Sequence, residues 1–146
     1  MIDVKFVKIY PNAKIPTKGS ERAAAYDLYA CIDGMITIPP HQTAKIGTGL
    51  AIQPPAGYWG AIVARSGLAT KQGLRPANCI GVCDEDYTGE YIVALHNDTN
   101  ITQTVSPGDR IAQLAFLPYL NVTFTEVDEL DKTERGSGGF GSTGTN

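Results

Sequence analysis

The chain has 146 residues, is 42% hydrophobic and carries a formal net charge of −3. That length suits one domain, that apolar content excludes a disordered chain, and an acidic balance argues against a sequence-blind nucleic-acid binder, which needs a basic face. Sixteen glycines and nine prolines interrupt the chain every few residues, so long helices are excluded.

The N-terminus, MIDVKFVKIYPNAK, lacks the apolar block of a signal peptide. No apolar run approaches the ~18 residues of a membrane span, so the expected address is the cytosol, or the nucleus in a eukaryote. Residues 4–9 alternate as an opening strand, which Pro11 stops. Short β-type runs follow at 26–30, 35–38, 43–47, 49–52, 58–64, 90–97, 110–120 and 122–127. Turn signals separate them, among them Asp33-Gly34, Pro39-Pro40, Pro54 to Gly57, Thr88-Gly89, Asn97 to Asn100 and Pro107-Gly108. Many short strands at this spacing predict an all-β sandwich or barrel.

One segment breaks the pattern. SGLATKQG predicts a short helix near 66–73, with Ser66 as its N-cap and Gly73 closing it. The tail from Arg135, RGSGGFGSTGTN, has no aliphatic residue and is expected to be mobile when alone. The chain therefore divides into a β domain, 1–134, and a glycine-rich tail, 135–146. Cys31, Cys79 and Cys83 are an odd set without adjacent histidines, which favours buried free thiols over a zinc site.

Four stretches carry candidate chemistry. Arg65, Ser66 and Gly67 precede or open the helix, where unpaired N–H groups suit phosphate; a plain capped helix fits them too. Asp84, Glu85 and Asp86 cluster before Tyr87; such acids can activate water, bind Mg²⁺ or simply solvate a hairpin tip. In the tail, Arg135, Ser142 and Thr143 offer phosphate donors and Phe140 a flat face for a base; a disordered terminus is the alternative. Arg110 and Gln113 are polar within an apolar run, either functional or merely facing water.

Taken together, AAYDLYA (24–30), ARSGLA (64–69), GVCDEDYTGE (81–90), GDRIAQL (108–114) and RGSGGFGSTG (135–144) resemble, in order, the five motifs of the trimeric dUTP pyrophosphatases. The resemblance implies a distorted β jelly roll with one short helix, assembled as a homotrimer whose active sites each draw on three chains. It implies Mg²⁺-dependent hydrolysis of dUTP to dUMP and pyrophosphate. That reaction limits uracil incorporation into DNA and supplies dUMP for thymidylate synthesis.

By the same resemblance, Asp84 orients the attacking water and contacts the 3′-hydroxyl. Asn78 and the hairpin backbone read the uracil edge, Tyr87 lies under the deoxyribose and Phe140 covers the base. Arg65, Ser66, Gly67 and Gln113 face the phosphates, with Arg135, Ser142 and Thr143 on the γ-phosphate. Asp27 acts on Mg²⁺ only through water, the metal being held mainly by the triphosphate. The tail closes over the site. Neither a nucleic acid nor a membrane is an implied partner.

The sequence departs from the family pattern at Ala25, Ala64, Cys83 and Thr88, none of which removes a reacting group. Two other readings share the fold: a relative of the dCTP deaminases, which needs a glutamate placed to activate water at the base, and a nucleotide-sensing module that signals through its trimer surface.

Overall fold

The structure, a computed structural model, describes residues 2–139. The described residues form strands β1 (Lys5–Lys8), β2 (Thr17–Lys18), β3 (Tyr26–Tyr29), β4 (Ile36–Ile38), β5 (Thr43–Gln53) and β6 (Tyr58–Val63). Helix α1 (Ser66–Gln72) follows, then β7 (Leu74–Pro76), β8 (Gly81–Cys83), β9 (Glu90–Asn97), β10 (Gln103–Val105) and β11 (Arg110–Pro118). They build a four-stranded sheet, β1-β5-β9-β7, a five-stranded sheet, β2-β3-β11-β6-β8, and the pair β10-β4. Every pairing is antiparallel. This is the all-β sandwich that the short alternating runs predict.

Alternation places the core. Along β9, Tyr91, Val93 and Leu95 point inward while Ile92 faces out. They meet Leu28, Ile38, Ile46, Leu50, Ile111 and Leu114 from the other strands. Burying each such side chain contributes roughly 1.5–3 kcal/mol. No helix among the described residues is long and apolar enough to cross a membrane.

Four local expectations change. Residues 43–47 and 49–52 form one strand, because Gly49 at φ 68° absorbs a register shift between Gly47 and Ala51. A Cβ at Gly49 would lie 2.7 Å from the Cys31 sulfur. Ser66 is the first helical residue and not the N-cap; Arg65 holds that position with extended backbone and no side-chain cap. Gly73 does close the helix, at φ 64°. Residues 122–127 form no strand: nothing pairs with them, and Phe124 is 96% exposed. Of the three free thiols only Cys83 is buried; Cys79 is exposed and Cys31 intermediate.

Candidate active site

The first cluster forms where β3, β6 and β11 run side by side. Asp27 on β3 pairs with Gln113 on β11, and Gln113 with Val63 on β6. The register of β11 shifts between Arg110 and Ala112. In an unbroken strand, Arg110 would share a face with the buried Ala112 and Leu114. The shift turns it to the opposite face, beside Asp27, while Ile111 enters the core.

Asp27 is thereby surrounded by donors. Arg65 Nε donates to its Oδ1 at 3.0 Å, Arg110 Nη1 to its Oδ2 at 3.1 Å and Gln113 Nε2 to Oδ1 at 3.3 Å. The Asp27 side chain is 4% exposed, and those of Arg65 and Arg110 are 24% and 51% exposed. Burial weakens screening, so the carboxylate aims both guanidinium groups while leaving their outer N–H groups toward solvent. Arg65 Nη1 also donates to the Arg110 carbonyl at 3.2 Å. Ser66 and Gly67 follow on the exposed first turn of α1, with open space where a Gly67 Cβ would stand.

The second cluster lies on the loops flanking β8. Asn78 is exposed in the turn before it, and Cys79 takes φ 61° so that Ile80 N–H reaches the Asn78 carbonyl at 2.6 Å. Past β8, the Tyr87 N–H donates to the Asp84 carbonyl at 3.1 Å, closing a turn that leaves the Asp84 side chain exposed. The Tyr87 hydroxyl donates to the Glu90 carbonyl at 2.9 Å, and its ring lies 6.1 Å from that of Tyr91. Asp84 borders an open cavity of about 670 Å³ that Trp59, Val82, Glu85 and Tyr119 also line.

The Asp27–Arg65 cluster and the Asp84 turn stand at opposite ends of one strand pair. Gly60 on β6 faces Cys83 on β8, so Asp84 falls level with Trp59. Arg65 lies about six residues further along the chain, roughly 20 Å away at ~3.3 Å per residue. Asn78 is at the Arg65 end, since Gly81 faces Ile62. Arg135 is exposed, and its Nε donates to the Gly138 carbonyl at 2.8 Å. Phe140, Ser142 and Thr143 lie outside the described residues.

The sequence matches a family model described as dUTPase over residues 11–144. The chain belongs to the dUTPase family. Among curated relatives, a deoxyuridine 5′-triphosphate nucleotidohydrolase of Desulfitobacterium hafniense is 47% identical over 98% of this chain and 95% of its own. One from Candida albicans is 45% identical, covering 96% of this chain and 89% of its own. Among solved structures, the Staphylococcus bacteriophage 80alpha dUTPase with dUPNHPP superposes with a TM-score of 0.90 at 25% identity, over 99% of this chain and 100% of that one.

Within this dUTPase chain, Arg110 is the site-cluster residue that sequence reasoning leaves unassigned. Its signal is the spacing: polar residues three apart, Arg110 and Gln113, cannot share a face of a regular strand. They share one here because of the register shift. The donor set also bears on the metal. No three His, Cys, Asp or Glu side chains among the described residues could hold an ion, and both Asp27 oxygens accept from Arg65, Arg110 or Gln113. The described residues do not fit direct ligation of Mg²⁺.

Proposed function

We propose that the chain hydrolyses dUTP, taken up as its magnesium complex, to dUMP and pyrophosphate. Family membership supports the reaction, and the opposed placement of Asp84 and Arg65 supports the way it is carried out. One chain holds a candidate water-activating acid and a candidate phosphate cradle too far apart for a single nucleotide to bridge readily. A homotrimer solves this by setting the Asp84 end of one protomer against the Arg65 end of the next.

In this reading Asn78 and the backbone around it read the uracil edge, and Tyr87 supports the deoxyribose. Arg65, Ser66, Gly67 and Gln113 receive the phosphates. Asp84 orients a water toward the α-phosphorus and accepts its proton; water is a poor nucleophile at neutral pH without such a base. Asp27 works at one remove, holding Arg65 and Arg110 in fixed directions before substrate arrives. Mg²⁺ arrives on the triphosphate oxygens with its waters. The tail from Arg135, with Phe140, Ser142 and Thr143, closes over the base and γ-phosphate of a neighbouring site. An exposed free thiol at Cys79 suits a reducing, cytosolic setting.

Incubation with each deoxynucleoside triphosphate in Mg²⁺ tests the reading. The expected products are dUMP and pyrophosphate from dUTP alone. Ammonia released from dCTP would overturn it in favour of deamination. Binding of dUTP without turnover would favour a sensing module. A mass measurement in solution tests the trimer.

A further inference from the structure

Glu85 stands between two other acids, yet its side chain is spoken for. Its Oε2 accepts from the Gly57 N–H at 2.7 Å and from the Tyr119 hydroxyl at 2.6 Å. The Tyr119 N–H in turn donates to the Gly57 carbonyl at 3.1 Å. Three segments therefore meet at one carboxylate oxygen: the turn that opens β6, the residue just past β11, and the loop after β8. The Asp84–Tyr87 turn closes on itself through its backbone hydrogen bond, and Glu85 attaches it to the body of the sandwich. Tyr119 is also where the chain leaves that body, since Leu120, the next residue, is 87% exposed.

Hydrogen bonds to an ionised carboxylate are shorter and stronger than neutral ones. They hold the Glu85 carboxylate turned toward Gly57 and Tyr119. Without them, an exposed loop carrying three adjacent acids would relax outward, taking Asp84 with it.

We infer that Glu85 is a positioning residue: its contacts with Gly57 and Tyr119 set the Asp84 turn for water activation and tie that turn to the root of the C-terminal segment. This rests on the proposed role of Asp84. Glu85 touches no substrate in this scheme and acts through the backbone it restrains.

The test compares Glu85→Ala, Glu85→Gln and Tyr119→Phe with the wild-type full chain. One oxygen accepts both bonds, so the amide oxygen of glutamine can replace it. Glu85→Ala is expected to lower kcat by roughly tenfold or more while KM for dUTP stays within about twofold, since misplacing a reacting group costs rate more than binding. Glu85→Gln restores most of that loss, and Tyr119→Phe, which deletes one of two bonds, falls between. Amide exchange across 84–91 quickens in Glu85→Ala and recovers in Glu85→Gln. Unchanged kcat in Glu85→Ala, a glutamine variant as impaired as the alanine, or an effect confined to KM overturns the inference. Asp84→Asn assayed alongside separates the two levels. If it turns over normally, the role of Asp84 fails; amide exchange then still reads the restraint, and unchanged exchange in Glu85→Ala overturns it independently of turnover.

Discussion

Arg65 Nε lies 3.0 Å from Oδ1 of Asp27, and that carboxylate is shared with Arg110 and Gln113. A buried acid thus organises two partly exposed cations. Asp27→Ala is expected to destabilise the fold by about 2 kcal/mol, less than the ~3–5 kcal/mol of a fully buried broken pair, because both arginines can regain water. It should also raise KM for dUTP, as the guanidinium groups lose their fixed directions. Thermal unfolding and steady-state kinetics on the same preparation check both effects.

Asp84→Asn should abolish pyrophosphate release while dUTP binding stays largely intact. Asparagine keeps the size of the side chain and cannot accept the proton from water. Calorimetric binding beside a pyrophosphate assay reads the two separately, and near-normal turnover would count against the assignment.

Removing residues 135–146 should spare the sandwich and cripple turnover. Among the described residues the strands end at Pro118, and the buried core residues all lie before that point. An unchanged melting temperature with a large loss of kcat/KM is the expected pair of results; an unchanged rate would take the tail out of the site.

The three thiols should react in order of exposure. Cys79 is exposed and reacts first with an aromatic disulfide reagent. Cys31 follows more slowly, its thiol pushed up chiefly by burial and then by Glu90 and Asp33. Cys83 is 7% exposed, and burial pushes its thiol up to about 11, so thiolate is scarce at pH 8. Its folded value is raised, so folding keeps this thiol protonated. Stability from that source is fully present below the unfolded thiol's value and is lost as pH rises from there toward about 11, because the unfolded chain ionises first. Timed thiol titration of the native and denatured chain should show Cys83 reacting only on unfolding.

Much of the fold is legible because glycine and proline mark the strand ends. Residues 90–97 and 26–30 read directly as β-type runs, and Gly73 as a helix stop. What escapes is non-local. Gly49 reads as a break, although its positive φ lets one strand bend through. The pairing of β3 with β11 joins Asp27 to Arg110 across most of the chain, and no local pattern states that contact. The segment 122–127 has the alternation of a strand yet pairs with none of the described strands, and propensity alone does not form a ladder. Asp84 and Arg65 are both visible as motifs; their separation follows only from the β6–β8 register.

That register carries a consequence for inheritance. If a working centre takes its acid from one protomer and its arginine from the next, an Arg65→Ala chain and an Asp84→Asn chain damage different halves of it. Mixed in one cell, the two inactive alleles would complement each other, because some centres in hybrid assemblies would receive an intact half from each. Either allele beside the wild type would lower activity only in proportion to the centres it enters.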